Sequence, residues 1–497
     1  MKQQRVVYTV IDGMGSEAFE QACASGRAPA LNFLRQNGRY VRDSVAVFPT
    51  ITPAATASLV TGEVPARHGI PGMCWYDRSA GRFVNYGQSP RSAIIEGESE
   101  VIHNWLLSLN AQHLNPQVAT IHEQLGGMGL VSASINFMVF RGPHEHRVRP
   151  DPIERILFRK GLPNSVRGPK ELYIADVVSG PSKACGKFHT RRGGPVKRMK
   201  AADSYAACVT RDLLKKRAAD MILFYLHEND HHSHQNGPAS QVDNLEEADK
   251  NIAHVLGTYG SWEATLQEVG FVVTADHSQS PISDAKDHII DLHEVFHDFK
   301  QVLPHHGREP LGHREVAAAG NGRVGFVYLN SQRKTKLWAR VVDRLHDVNG
   351  LDQIMWRDRE EYVVRSERGE MRFAGVADGG VIDERGNRWK ISGEIGVVDG
   401  VIEDATIRTP EYPLAMWRIK SVLDLDRAGD IVVTPKLTWD IKDLGGADHR
   451  GGGDHASLHA QDSMIPFLST LAQPPARPST VDVTPHIVEH FRRLSSR

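Results

Sequence analysis

Short apolar runs rich in β-branched residues punctuate the chain at residues 6–11, 130–135, 221–226 and 271–274. Each is continuous rather than alternating. That pattern predicts strands covered on both faces, as in a parallel sheet. Helical spacing lies between them. Residues 16–37 read as helix, as do residues 202–217, with Val209, Leu213 and Leu214 on one side. In residues 244–256, Leu245, Ala248, Ile252 and Val255 form another apolar stripe. The alternation predicts an α/β fold with a doubly wound, mostly parallel sheet and helices on both faces.

Two regions depart from this rhythm. From about 80 to 200 the chain carries loops, including a basic stretch at 183–200. From 334 to 436 one amphipathic helix (Leu337, Val341, Val342, Leu345), stopped by Gly350, is followed by short strand-like pieces at 372–376, 380–382, 389–391 and 395–398. Asp383-Glu384-Arg385-Gly386-Asn387 reads as a hairpin loop between two of them. The expected organisation is a catalytic core over 1–333, a β-rich insertion or cap over 334–436, and a return to the core over 437–497.

In open α/β sheets ligands gather beyond the carboxyl ends of the strands. Asp12, Asp230 and Asp276 each stand just past a predicted strand, so three carboxylates are expected to converge on one crevice. His234 follows Asp230 by four residues, one helical turn, and the two face the same side if a helix begins there. His277 follows Asp276 directly. His455 sits in the glycine-rich run Gly451-Gly452-Gly453-Asp454-His455. His231, His232, His449 and His459 compete for the same role.

A hydroxyl completes the set. In Phe48-Pro49-Thr50-Ile51-Thr52-Pro53 an extended segment meets a helix, with Thr52 expected at the N-cap and Pro53 at the first helical position. There the positive end of a helix favours a phosphate oxygen, and a nearby metal lowers the hydroxyl pKa. Thr50 and Thr56 are alternatives.

Three carboxylates, three imidazoles and one hydroxyl suit two divalent ions and a nucleophile. A mixed Asp/His donor set favours Zn²⁺, with Mn²⁺ next. Asp12, Thr52, Asp276 and His277 are assigned to one ion, and Asp230, His234 and His455 to the other. The chemistry indicated is two-metal phosphoryl transfer. Trp75 and Tyr76 are expected to line the substrate cleft or to pack in the core, and His68 to be structural.

Charge adds little: 59 Lys and Arg against 60 Asp and Glu leave a net −1, so no bulk field favours nucleic acid or a membrane surface. No stretch approaches the ~20 apolar residues of a membrane span. The first apolar run is too short for a signal-peptide core. The four cysteines (Cys23, Cys74, Cys185, Cys208) form no CxxC pair. Free thiols and a cytoplasmic location are expected. The expected partner is a small phosphorylated substrate, with a homo-oligomer allowed.

The segment from Phe48 to Ile70 resembles the nucleophile region of the type I phosphodiesterase/nucleotide pyrophosphatase family, within the alkaline phosphatase superfamily. Asp230-His231-His232-Ser233-His234, Thr274-Ala275-Asp276-His277-Ser278 and His455 resemble its metal-binding segments, in the family's order. The resemblance implies an α/β core, two zinc ions and a covalent phospho-threonine intermediate that water then hydrolyses. Where many nucleotide pyrophosphatases carry an Asn shortly after the nucleophile, this chain has small residues such as Ala55, with Thr56 or a backbone N–H as substitutes. Ser233 and Ser278 replace common glycines. These departures keep a phosphomonoesterase or a phosphonate hydrolase of the phosphonoacetate type in view, and a non-catalytic binding protein as a further alternative.

Overall fold

The computed structural model describes residues 4–149, 162–174, 178, 185 and 202–496. Its central sheet has seven strands in the order Arg39–Val45, Met464–Ser469, Val269–Thr274, Arg5–Ile11, Met221–Leu226, Ser132–Ile135 and Glu171–Tyr173. Met464–Ser469 runs antiparallel to both neighbours, and the other strands share one direction. All four apolar runs are strands here.

Their continuity has a direct cause. Val6, Tyr8 and Val10 point into one apolar cluster and Val7 and Ile11 into another; Leu223 and Tyr225 part from Ile222 and Phe224 in the same way. One face is covered by Ser16–Ala24, Pro29–Asn37, Asp203–Lys216 and Gln241–Leu256, which supply Phe19, Leu31, Val209 and Leu245. The other is covered by Thr52–Thr61, Ile121–Gly127 and Thr480–Ser495, which supply Leu59, Leu125 and Ile487. No polar face is left on these strands, so no alternation appears in the sequence.

A second sheet of 11 strands, among the described residues, runs from Gln301–Val302 to Val401–Glu403. It includes Val316–Gly320 and Gly325–Leu329 as well as strands from the 334–436 region. Phe326, Tyr328, Met355 and Phe373 join the cluster that holds Tyr8 and Val10, so one apolar core serves both sheets.

Several local expectations change. Residues 16–37 form two helices, because Gly26 adopts φ +75° and Pro29 starts the next helix. Ile395–Val398 is a 3₁₀ turn, not a strand. The hairpin around Asp383 is present, with Val381 opposite Trp389; Asp383 accepts from the backbone of Arg385 and Asn387. Cys185 and Cys208 are disulfide-bonded, which corrects the expectation of four free thiols; Cys23 and Cys74 are free and buried. The Cα atoms of Cys185 and Cys208 lie 5.9 Å apart, a bridgeable distance that a spacing of 23 residues does not reveal. The basic stretch 183–200 lies outside the described residues apart from Cys185. Among the described residues no helix is long and apolar enough to cross a membrane.

Candidate active site

Three neighbouring parallel strands, Met221–Leu226, Arg5–Ile11 and Val269–Thr274, deliver Asp230, Asp12 and Asp276 at their carboxyl ends. The Asp12 N–H still pairs with the Leu226 carbonyl, which ties the first two strand ends together. Gly13 then turns with φ +66°, and its N–H reaches Asp276 Oδ1 at 3.3 Å. A Cβ at Gly13 would stand 3.0 Å from Asp230 Oδ1, so the absence of a side chain lets the carboxylates close up. Asp230 and His234 share the helix Glu228–Asn236 and face each other, with His234 Nε2 3.2 Å from Asp230 Oδ2.

His455 arrives from far along the chain. Gly453–Asp454 pairs antiparallel with Ser280–Pro281, just past His277, and Ala456 bridges to Thr50. Gly452 makes the loop's approach possible, since a Cβ there would meet the His234 carbonyl at 2.0 Å.

All three imidazoles are oriented by backbone carbonyls. A carbonyl only accepts, so the nitrogen facing it carries the proton. His455 Nδ1 donates to Thr50 O at 2.8 Å, His234 Nδ1 to Gly453 O at 2.7 Å, and His277 Nδ1 to Ser278 O at 3.2 Å. Each therefore turns its Nε2 toward the carboxylates. His277 Nε2 lies 3.6 Å from both Asp12 Oδ1 and Asp276 Oδ2, and His455 Nε2 lies 3.6 Å from Asp230 Oδ1. The rings of His277 and His455 stack at 3.6 Å, so the two groups adjoin.

Thr52 closes the cluster: its Oγ1 sits 3.1 Å from His277 Nε2. It is the first residue of the helix Thr52–Thr61 rather than its cap, a place taken by Ile51, and no side chain caps the helix. The hydroxyl thus faces the cluster at the positive end of a helix. Thr52, Asp230 and His234 are partly exposed, whereas Asp12, Asp276, His277 and His455 are buried, so solvent meets the cluster at the first three.

These donors fit divalent cations. Asp12 Oδ1 and Asp276 Oδ2 are buried without a hydrogen-bond partner among the described residues. Burial, then the Asp230 and Asp276 charges, push Asp12 well above the ordinary carboxylate range. Burial also raises Asp276, against the pull of His277. Burial would raise Asp230 too, but the His234 charge and hydrogen bond bring it well below that range. His455 is lowered to about 3 by burial and then by His277, and so is neutral as a ligand must be. Buried carboxylates with too little positive charge around them are costly, and a bound divalent ion relieves that cost. Tetrahedral bonds of ~2.0–2.2 Å separate ligand atoms by roughly 3.4 Å, close to the spacings found here.

The remaining candidates sit elsewhere. Thr56 is buried and gives its hydroxyl to the Thr52 carbonyl at 2.5 Å. Trp75 and Tyr76 are each 1% exposed. Trp75 packs edge-on against His113 under Arg427, and Tyr76 donates to the Glu309 carbonyl, so both are core residues rather than cleft walls. Ala55 packs with Val47 and Val481. His68 is structural: Ile70 N–H donates to its Nδ1, its Nε2 meets Ser58, and burial lowers it to about 3.

Two neighbours of the cluster escaped the sequence reading. Gln279 donates to Asp230 Oδ1, and no pattern marks it. Asp454 lies with His234 and His455 in one group of possible ligands, and it does carry a signal. Asp454-His455 repeats the doublet Asp276-His277, and in both the Asp Oδ1 accepts the N–H of the following His.

No curated protein matches the sequence. Among solved structures, phosphonoacetate hydrolase from Sinorhizobium meliloti 1021 in complex with phosphonoformate is similar at TM-score 0.56 and 16% identity, covering 98% of this chain and 96% of that one. Murine ectonucleotide pyrophosphatase/phosphodiesterase 5 is similar at TM-score 0.56 and 13% identity, covering 98% and 95%. The human ectonucleotide pyrophosphatase/phosphodiesterase 5 gives TM-score 0.55 at 13% identity with the same coverage. Likenesses at this identity establish a shared alkaline-phosphatase-like fold. The sequence model of type I phosphodiesterase/nucleotide pyrophosphatase matches residues 6–458, and over that span the chain belongs to this family of phosphoric ester hydrolases.

Proposed function

We propose that the chain hydrolyses a small phosphodiester or pyrophosphate through Thr52. The observation that carries this reading is the Thr52 hydroxyl, 3.1 Å from His277 Nε2 at a cluster of three carboxylates and three imidazoles. Asp12, Thr52, Asp276 and His277 would hold one divalent ion and Asp230, His234 and His455 the other, with Zn²⁺ best matched to the donors. When bound, the ions supply positive charge that favours the ionised hydroxyl and steadies the phosphoryl oxygens.

The chain's own residues do the rest. The helix start presents Thr52 Oγ to phosphorus, in line with the leaving oxygen. The Thr52 hydroxyl gives its proton to solvent, the Oγ–P bond forms as the P–O bond to the leaving group breaks, and the leaving group takes a proton from water. A water then attacks the phosphoryl-threonine, restores the hydroxyl and frees the product. The three backbone carbonyls keep each imidazole from flipping its proton into the cluster.

Ala55, packed away from the site, and the likeness to phosphonoacetate hydrolase support a second reading, cleavage of a phosphonate. A substrate panel separates them. Under the first reading, bis-p-nitrophenyl phosphate turns over well above p-nitrophenyl phosphate and phosphonoacetate, and a chelator stops it. Preferred release of phosphate from phosphonoacetate would replace the first reading with the second.

A further inference from the structure

Behind His234 lies another group of ligating side chains. Asp440 and Asp454 are 0% and 2% exposed, and His449 is partly open to solvent. His449 Nδ1 stands 3.0 Å from Asp454 Oδ2 and 3.4 Å from Asp440 Oδ2. Each carboxylate commits its Oδ1 to the backbone. Asp440 Oδ1 accepts from Ile441 N at 2.8 Å, and Asp454 Oδ1 from His455 N at 2.8 Å. The atoms left over, the two Oδ2 and the Nδ1, are buried and have no hydrogen-bond partner among the described residues. All three lie within 4.8 Å of one another.

We propose that Asp440, His449 and Asp454 form a third divalent-cation site, separate from the two sets at Asp12 and Asp230. A protonated His449 is the competing explanation, and it satisfies the group poorly. One Nδ1–H donates to one carboxylate, so the other Oδ2 stays unpaired in the interior. An imidazolium between two carboxylates also leaves a net charge of −1 buried, whereas a divalent ion with neutral His449 leaves none. The spacings of 3.0 and 3.4 Å match the roughly 3.4 Å edge of a tetrahedral site, with water as the fourth ligand on the exposed side of His449. Two oxygens and one imidazole suit Zn²⁺ or Mn²⁺.

The position gives such an ion a task. Asp454 precedes His455, and the His449 ring stacks on His234 at 4.4 Å. An ion on Asp440 and Asp454 ties the strand Asp440–Lys442 to the loop that carries His455. It would act by positioning that loop, not by touching substrate.

Metal counting tests this. The full chain is stripped with a chelator, reloaded with excess Zn²⁺, desalted and measured for zinc per chain. Asp440→Ala and His449→Phe, the latter keeping a ring against His234, are each expected to bind one zinc fewer than wild type, which itself holds three. Equal counts in both variants and wild type overturn the third site and leave His449 as an imidazolium. Asp12→Asn and His234→Ala serve as separate controls, because their counts report on the other two ions whatever happens at Asp440. Should Asp440→Ala fail to fold, the wild-type count decides: three supports the site and two contradicts it.

Discussion

His455 rests its Nδ1–H on the carbonyl oxygen of Thr50, 2.8 Å away across 405 residues of chain. That bond places a proton on Nδ1 and joins the last histidine of the cluster to the turn that carries Thr52. The hydroxyl of Thr50 is spent on the same loop, donating to the Ser457 carbonyl and accepting from Ala456 N–H. Thr50 is therefore a positioning residue, which leaves Thr52 as the hydroxyl that faces the cluster.

Thr52→Ala is expected to lower turnover by at least ~10³-fold, since the proposed mechanism makes its hydroxyl the nucleophile on which the other groups act. Thermal stability and most of the bound metal should stay. Thr52→Ser should keep part of the activity. Steady-state kinetics with bis-p-nitrophenyl phosphate, alongside metal analysis, check both variants.

Asp462 is a second support for the loop. Fully buried, it pairs with buried Arg323 at 3.0 Å, accepts from Ser457 N–H at 2.9 Å and from the Ser280 hydroxyl. Arg323 N–H in turn holds the His455 carbonyl. Removing one member of a buried pair strands the other, so Asp462→Ala should cost about 3–5 kcal/mol in denaturant unfolding. A loss below ~1 kcal/mol would mean that Arg323 finds another partner.

Ala456 adopts φ +108°, a region that side-chain-bearing residues rarely occupy. Its N–H is held by Thr50 and its neighbour is His455, so the backbone has no freedom to relax. Ala456→Gly is expected to raise stability by about 1 kcal/mol, the relief of strain outweighing the added entropy of the unfolded chain. Differential scanning calorimetry would register this as a higher melting temperature with activity retained.

Glu96 supplies a pH dependence away from the site. Burial raises its carboxyl to about 7, against the hydrogen bond from Asn85 at 2.8 Å. The folded state therefore binds this proton more tightly than the unfolded chain does. Its contribution to stability is complete below the ordinary Glu value of ~4.3 and is lost as pH rises through about 7. Glu96→Gln should flatten the stability profile between those values, as measured by urea unfolding across pH.

The central sheet and the converging carboxylates were legible in the sequence because both follow from local rules. Strands buried on two faces must be continuously apolar, and Asp12, Asp230 and Asp276 stand where such strands end. His455 was legible through its glycines, of which Gly452 is required by the close approach to His234. Asp440 was not, because its role depends on a parallel pairing with residues 289–291 that leaves no periodic trace. Trp75 and Tyr76 stayed open between cleft and core for a related reason: an aromatic pair shortly after Thr52 looks the same in sequence whether it lines a cleft or fills the core between two sheets. The Cys185–Cys208 bond, too, depends on where distant segments meet.

A crystal structure of the zinc-loaded protein with vanadate tests the central claim most directly. The expected result is vanadium bonded to Thr52 Oγ, with the Nε2 atoms of His234, His277 and His455 all directed at bound zinc. Vanadate held away from Thr52, or zinc ligated without those three nitrogens, would contradict it.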